Sequence, residues 1–325
     1  MIKAFESINR GYDNTFQANK LSLGVVVPIE NYAQSPVPKM KDHLQRVQLI
    51  ERLGFKALWL RDVAFHVPSF GDAGQTFDPF TYLGYLAGQT NEIALGVASI
   101  ALPLHHPLHV AKSAATIDQL SDGRLILGVA SGDRYEEYPA MGIEHAERGK
   151  RFRQAFTYIR KAQDFFPFSE DSTFGQLPGH IDILPKPVGA KIPMLITGYS
   201  RQSLEWNAEH GDGWMSYPKH LMQQEFTITQ WRALVSKQGR NKPFMQPLYV
   251  DLQKDADFKP QPIHLGFRIG TKYLIDYLTY LQEMGVNHVA LNLRFNQRDI
   301  PETLAELAEA VLPHFHTNQE ATSLT

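Results

Sequence analysis

The chain has 325 residues, of which 43% are hydrophobic and 20% charged, so it is long and apolar enough to bury a large core, which excludes general disorder. Its 32 basic and 34 acidic residues give a formal charge of -2, which provides no long-range field to attract nucleic acid. The sequence has no cysteine, which excludes disulfides, thiolate nucleophiles and cysteine-ligated metals. Redox chemistry would therefore need a bound organic cofactor.

The amino terminus, MIKAFESINRGYDNTF, has no apolar signal core, and the longest apolar stretch, 93–104, is too short to cross a bilayer. We therefore expect a cytoplasmic protein that does not span a membrane. Residues 1–20 are predicted to form an N-terminal extension, and residues 316–325 a polar C-terminal tail.

Short β-branched runs alternate with segments of helical period along nearly the whole chain, which is typical of repeated βα units. Eight such units predict an α/β fold of the (β/α)8 barrel class over residues 21–315, with insertions after strands two and four and, at 166–192, between units four and five. The predicted strands are 21–27, 57–60, 93–98, 123–130, 193–197, 213–217, 245–252 and 287–293, and the predicted helices lie near 40–53, 79–89, 108–120, 148–165, 201–210, 219–238, 270–284 and 301–313.

The competing architecture is an open doubly wound sheet, which usually has a glycine-rich phosphate turn after its first strand. Here the first strand is followed by PIENYAQSPVPK, without a GxGxxG motif, which favours the barrel. Barrel enzymes carry their chemistry on the loops that follow the carboxyl ends of the strands. Candidate site residues are therefore expected in 28–39, 61–78, 99–107, 130–147, 198–200 and 253–269.

The fifth predicted strand, 193–197, ends at Gly198, and Tyr199, Ser200 and Arg201 follow at the predicted start of a helix. Free backbone N–H groups and the positive end of the helix dipole favour a phosphate at such a place. The alternative is that Ser200 only caps the helix and Arg201 is a solvated charge.

Asp62 directly follows the second predicted strand, from where a carboxylate can point into the barrel mouth; the alternative is a loop cap. Three histidines, His105, His106 and His109, have a spacing that could chelate a metal. Because Pro107 interrupts them and no nearby carboxylate completes a site, we predict no metal.

Several blocks of the sequence together resemble the luciferase-like flavin monooxygenases, from about Leu21 to Leu312. The likeness is greatest to a bacterial subgroup, the luciferase-type oxidoreductases. The blocks are LGFKALWLRD (53–62), RDVAFHVPSFGD (61–72), LPLHHPLHVAKSAATIDQLSDGRLILGVASG (102–132), PMLITGYSRQSLEWNAEHGDGW (193–214), PIHLGFRIG (262–270) and GVNHVALNL (285–293).

The resemblance implies a barrel that binds reduced FMN and uses molecular oxygen to oxygenate a small organic substrate through a C4a-peroxyflavin. It places the phosphate on Gly198, Tyr199, Ser200 and Arg201. It adds Ser131 and Gly132 to the same ligand, and a non-prolyl cis peptide, Ala98–Ser99, under the flavin ring.

The resemblance also suggests residues for catalysis and for substrate. Asp62 or His66 would manage protons, although the chain has Val63 where many members carry a histidine. His106 would orient its turn or face the substrate pocket, and Arg134 would bind an anionic substrate or the flavin. Two residues of the loop after strand seven, His264 and Arg268, would close over substrate.

Three alternatives stay open: hydride transfer with the deazaflavin F420, a flavin-binding barrel without turnover, and a barrel hydrolase or aldolase unrelated to flavin. The chain shows no nicotinamide fingerprint, so the resemblance implies a separate flavin reductase as partner. It also implies a homodimer that uses the regions near 79–89 and 108–120.

Overall fold

The computed structural model describes residues 4–316 and confirms the predicted barrel, which eight parallel strands close. The elements in chain order are α1 (Arg10–Thr15), β1 (Ser22–Val26), α2 (His43–Arg52), β2 (Ala57–Leu60), α3 (Pro79–Ala87), β3 (Ala94–Ala101), α4 (Pro107–Leu120), β4 (Leu125–Ala130), α5 (Glu137–Ala140), α6 (Arg148–Ala162), β5 (Met194–Thr197), α7 (Leu204–His210), β6 (Gly213–Met215), α8 (Leu221–Lys237), β7 (Phe244–Leu252), β8 (Gln261–Ile263), β9 (Gly266–Ile269), α9 (Thr271–Met284), β10 (His288–Asn292) and α10 (Ile300–Glu306).

Closure of the barrel comes from β10, which pairs in parallel with both β7 and β1. Strands β1 to β7 pair in chain order between these two contacts. Every predicted strand overlaps one of the eight, and the three predicted insertions are present. The strands are buried on both faces because helices cover the outside and side chains fill the inside, which explains why they read as continuous apolar runs.

The N-terminal extension is part of the barrel, which the sequence did not indicate. The side chains of Tyr12 and Phe16, from α1 and its end, pack with barrel-interior residues such as Trp59 and Met245. The Tyr12 hydroxyl donates to the carbonyl of Asp212 at 2.8 Å. The extension therefore closes the N-terminal end of the barrel, where strands alone would leave apolar interior in contact with water.

Two local predictions were wrong. The helix predicted at 201–210 begins at Leu204, where the Ser203 side chain caps it by accepting from Trp206 N. Residues 253–269, predicted as a loop, contain the antiparallel hairpin of β8 and β9, and β9 extends the sheet beside β7. In the predicted C-terminal tail, His316 accepts a hydrogen bond from Leu23 N at 2.9 Å, and residues 317–325 lie outside the described residues.

Within residues 4–316, no helix is both long enough and apolar enough to cross a bilayer.

Arg124 is a buried cation that joins the loops at the N-terminal end of the barrel. Its guanidinium donates to the carbonyls of Ala87, Thr90, Ile93 and Ser121 at 2.8–3.0 Å, and to the Thr90 hydroxyl. The first of these carbonyls lies at the C-terminal end of α3, where the helix dipole favours a cation. The Ser-Asp-Gly-Arg turn after α4 is therefore a structural anchor.

Arg124→Met should lower the free energy of unfolding by about 3 kcal/mol or more, because several buried carbonyls lose a charged donor together. Urea denaturation followed by circular dichroism measures the loss. The exposed Arg52→Met is the control and should change stability by less than about 0.5 kcal/mol. Equal stability of the two variants would contradict the anchoring role.

His288 is fully buried inside the barrel with both ring nitrogens hydrogen-bonded. Trp59 Nε1 can only donate, so His288 Nε2 accepts from it at 2.8 Å, and Nδ1 pairs with the Ser22 hydroxyl at 2.6 Å. Burial, with a smaller contribution from the nearby His316, lowers the pKa of His288 to about 3. The ring is therefore neutral in the folded protein.

The His288 ring takes up a proton near pH 6.5 in the unfolded chain and near pH 3 in the folded chain. The stabilisation that the neutral His288 ring contributes is therefore complete above pH 6.5. It is lost progressively as the pH falls towards 3. Between pH 6.5 and 4.5 the free energy of unfolding should fall by about 2–3 kcal/mol from this residue. Urea midpoints at several pH values test this. His288→Gln should remove about half of the dependence in that window, because burial also lowers the pKa of His316 to about 4 and gives it a similar contribution.

Candidate functional site

Two adjoining clefts open at the carboxyl ends of the barrel strands. The outer cleft, of about 780 Å³, is lined by the loops that follow β2 to β6. The inner cleft, of about 600 Å³, lies over the barrel interior and has mainly apolar walls from residues such as Met215, Met245 and Ala290. Arg61, Ala98, Thr197 and Tyr217 line both clefts, so the two are continuous.

Seven of the predicted site residues line the outer cleft, although they come from four different loops. They are Asp62, Ala98, Ser99, Ser131, Gly132, Arg134 and Ser200. Three more, Gly198, Tyr199 and Arg201, adjoin Ser200 in the loop after β5. The sequence therefore indicated most of this wall, because parallel strands bring their carboxyl ends to one rim.

The Ala98–Ser99 peptide bond is cis, as predicted. It lies where the pairing of β3 with β4 shifts register, between Val97 and Ile100. The strand is thereby interrupted at the point where Ala98 faces both clefts and Ser99 faces the outer one.

The loop after β4 approaches the outer cleft through Ser131 and Gly132. The Tyr138 hydroxyl donates to the Ser131 carbonyl, and a Cβ on Gly132 would lie only 2.7 Å from that hydroxyl oxygen. Gly132 also has a φ of +74°, which favours glycine. Both facts require glycine here. At this position the loop therefore presents only its backbone to the cleft.

The loop after β5 differs from the predicted helix start. Gly198, Ser200 and Arg201 have φ values of +56°, +46° and +60°. The Ser200 hydroxyl donates to the Thr197 carbonyl at 2.8 Å, and Trp214 Nε1 donates to the Gly198 carbonyl at 2.6 Å. A turn of this kind can direct successive N–H groups at an anion, so a phosphate would bind the loop itself rather than a helix terminus.

Arg61, which the sequence analysis did not single out, is part of a charge cluster on the shared wall. Its Nη1 lies 2.7 Å from Asp72 Oδ2, and Arg294 Nη1 lies 3.1 Å from the same oxygen. Burial favours the neutral form of Asp72, but the Arg61 charge and hydrogen bond outweigh it and lower the carboxyl pKa. With two cations to one anion, the cluster has one net positive charge.

Asp62 is paired with His105, a residue that sequence reasoning considered only as a metal ligand. His105 Nε2 lies 2.8 Å from Asp62 Oδ2, and Ala101 N donates to the same oxygen at 3.0 Å. Burial alone would lower the pKa of His105, but the hydrogen bond and charge of Asp62 overcome it and raise the pKa. No sequence motif joins residues 62 and 105; only the packing of the two loops does.

Arg134 is buried in the wall of the outer cleft, with its guanidinium 4.4 Å from the ring centre of Phe70. Its Nη1 lies 3.8 Å from Glu137 Oε1, which is too long for a hydrogen bond. Burial raises the pKa of Glu137 in spite of this neighbouring cation. Within residues 4–316, the buried Arg134 Nε has no hydrogen-bond partner.

The other predicted site residues do not line either cleft. His66 is exposed, and His106 caps α4 by accepting from Leu108 N at 3.2 Å, so it orients its turn. His264 packs on Tyr249 of the inner cleft with ring centres 5.6 Å apart, and Arg268 Nε donates to the buried Asp251 at 2.7 Å. Among the described residues, no three His, Cys, Asp or Glu side chains form a group that could hold a metal.

A sequence model described as luciferase-like monooxygenase matches residues 21–257 of this chain. The chain belongs to this family. Over 163 residues it is 32% identical to an uncharacterized protein of Mycobacterium tuberculosis, covering 47% of this chain and 57% of that protein. It is 25% identical over 162 residues to the alkanal monooxygenase alpha chain of Aliivibrio fischeri, covering 50% of this chain and 44% of that one. The chain thus spans about half the length of the curated relatives it matches.

Solved structures of the family share the fold at low sequence identity. An F420-dependent secondary alcohol dehydrogenase, in complex with an F420-acetone adduct, superposes with a TM-score of 0.74 at 18% identity, covering 91% of this chain and 99% of that one. The oxygenating constituent of 3,6-diketocamphane monooxygenase from Pseudomonas putida, in complex with FMN, gives 0.68 at 14%, covering 90% and 98%. The same fold therefore occurs in a protein described as a monooxygenase constituent and in one described as an F420-dependent dehydrogenase.

Gly132→Ala should destabilise the protein by about 1–3 kcal/mol, because the new Cβ meets the Tyr138 hydroxyl and the backbone has a positive φ. Thermal unfolding measures the change. Tyr138→Phe in the Gly132→Ala background removes the clashing oxygen and should recover part of the loss relative to Tyr138→Phe alone. No recovery in this double-mutant cycle would show that the clash is not the cause.

Proposed function

We propose that this chain is a flavin-dependent monooxygenase that uses reduced FMN and molecular oxygen to oxygenate a small organic substrate. One observation carries the proposal: the Ala98–Ser99 segment of β3, the Gly132 backbone and the left-handed turn at Ser200 line a single cleft. Membership in the luciferase-like monooxygenase family supports the same reading.

The residues present fit a phosphorylated flavin. We assign the phosphate to the backbone and hydroxyls of Ser131, Gly132 and residues 198–201, and the ring to the wall formed by Ala98 and Ser99. The positive charge of Arg134, which lines the same cleft, also favours an anion there. When bound, the reduced flavin supplies the electrons that activate oxygen.

In this proposal the chain's own residues exclude water, balance charge and hold a proton acceptor. The apolar walls of the inner cleft, including Met215, Met245 and Pro247, keep water from the reacting groups. The net positive charge at Arg61 stabilises negative charge that develops at the junction of the clefts. Asp62 is the candidate acid or base, because its carboxylate lines the outer cleft.

The inner cleft suits a small, mainly apolar substrate with one or two hydrogen-bonding groups. Its walls are mostly apolar, and its polar contributions come from residues that include Arg61, Tyr249 and Asn292. His264 lies over Tyr249 and borders this region without lining it. Arg268 is assigned to holding Asp251 rather than to binding substrate.

Hydride transfer with F420 is the alternative activity, and a flavin-binding barrel without turnover is another. F420 dependence is recorded for the secondary alcohol dehydrogenase that shares this fold. A separate flavin reductase as partner and a homodimer through α3 and α4 belong to the proposal as well. These helices expose Tyr85 and Leu120, which supports their use as an interface.

Anaerobic titration of the full chain with reduced FMN and, separately, with reduced F420 tests the cofactor. Rapid mixing of the loaded protein with oxygen, followed by absorbance, then tests the chemistry. Tight binding of reduced FMN and an oxygen-dependent intermediate spectrum are the expected results. Preference for F420 without reaction with oxygen would instead support the hydride-transfer alternative, and binding of neither would contradict both.

Ser200→Ala combined with Arg201→Ala should weaken FMN binding at least about tenfold, since a hydroxyl and a cation leave the assigned phosphate site. Fluorescence titration with FMN measures the affinity. Ser236→Ala combined with Arg240→Ala removes the same groups from exposed positions at the opposite end of the barrel and should have no effect. Unchanged affinity in the first variant would show that the phosphate site is wrongly assigned.

A further inference from the structure

His105 lies between β3 and α4, and its pairing with Asp62 fixes the direction of that carboxylate. His105 Nε2 and Ala101 N both meet Oδ2, at 2.8 and 3.0 Å. The Asp62 side chain is only 6% exposed, and what is accessible of it faces the outer cleft. Because both donors use Oδ2, the other oxygen, Oδ1, is the one available to a ligand there.

Among residues 4–316, no histidine lines the outer cleft, and His105 acts on it only through Asp62. At position 63, the Val63 side chain packs against the turn at Gly74, where a Cβ would come within 2.9 Å of Val63 Cγ2. Val63 lines neither cleft, and the exposed His66 lines neither as well. The imidazole beside the cleft carboxylate therefore comes from a different loop, the one that follows β3.

We propose that His105 is a positioning residue for Asp62: its Nε2 holds the carboxylate through Oδ2, with Oδ1 directed into the outer cleft. This inference rests on the proposed function and deepens it, because it states how the candidate acid or base is kept ready. His105 is 27% exposed, so its charge follows the pH of the solution.

The acidic groups around His105 come from three elements and favour the imidazolium. Asp62 lies after β2, Asp78 caps α3 and Glu137 begins α5, and each raises the pKa of His105 against the effect of burial. The Arg134 guanidinium lies 3.8 Å from Glu137 and opposes the effect of that carboxylate. Because the pKa of His105 is raised, the ion pair should survive to a higher pH than an ordinary histidine pair and be lost as the pH rises further.

The first test needs no flavin. Histidine-labelled full-length chain is titrated by NMR, and His105 is assigned from the signal lost in His105→Gln. We expect His105 to titrate above the ordinary histidine value of about 6.5, and at least one pH unit lower in Asp62→Asn, where burial is no longer opposed. A His105 titration that is the same with and without the Asp62 charge overturns the proposal.

The second test uses the FMN-loaded chain and measures the rate at which oxygen reoxidises the bound reduced FMN, as a function of pH. In the wild type the rate should fall as His105 loses its proton. His105→Arg keeps a positive charge at all these pH values and should retain the rate in alkaline solution. His105→Gln keeps a donor but no charge and should be slower by about tenfold at neutral pH.

His109→Gln is the matched control, because His109 is an exposed histidine four residues further along and should leave the rate within about twofold of wild type. The same alkaline fall in the wild type and in His105→Arg overturns the positioning role. Failure to bind both FMN and F420 contradicts the proposed function instead. If flavin still binds but the His105 titration is the same in Asp62→Asn as in the wild type, only the role of His105 is rejected.

Discussion

The parallel pairing of β10 with both β7 and β1 is the constraint on which the remaining structure depends. It closes the sheet, so all eight carboxyl ends meet at one rim and all eight amino ends at the other. Asp62, Ser131 and Ser200, far apart in the chain, face one cleft for this reason. The opposite rim carries two structural features, the Arg124 hydrogen-bond cluster and the packing of α1 against the barrel interior.

Closure of the barrel also creates an interior. Side chains pack it tightly at the amino end of the strands and less completely at the carboxyl end. At the amino end, Tyr12, Phe16 and the Trp59–His288 pair leave no room for a ligand, and the neutral His288 completes its hydrogen bonds within this layer. Towards the carboxyl end, the barrel interior is not completely filled. The inner cleft lies there, and Met215, Met245 and Ala290 form part of its wall. One barrel wall thus provides both the stable core and the floor of the candidate site.

Charges at the rim are arranged in separate small clusters. Arg61 and Arg294 share Asp72, His105 faces Asp62, and Arg134 stands near Glu137 without a hydrogen bond. Each of these anions lies beside at least one basic side chain. This pairing lowers the cost of burying charge in the wall of the proposed cofactor cleft.

The sequence by itself determined the eight βα units, their order, the insertions and the loops that carry the candidate site. Local patterns suffice for this, because the hydrophobic period of a segment indicates whether it forms a strand or a helix. A glycine such as Gly132 likewise indicates a turn in the backbone at its own position. Its resemblance to a family indicated the Ala98–Ser99 cis bond as well. These features depend on neighbouring residues or on motifs that stay contiguous in the chain.

Only the tertiary structure decided which side chains meet across loops. The pairs Asp62–His105 and Arg61–Asp72, the use of residues 4–16 as a barrel plug and the late start of α7 depend on contacts between distant or irregular segments. The tertiary structure also shows that four predicted site residues do not line either cleft: His66, His106, His264 and Arg268. Hydrogen bonds between loops are set by packing geometry, and no periodic pattern in a sequence encodes that geometry.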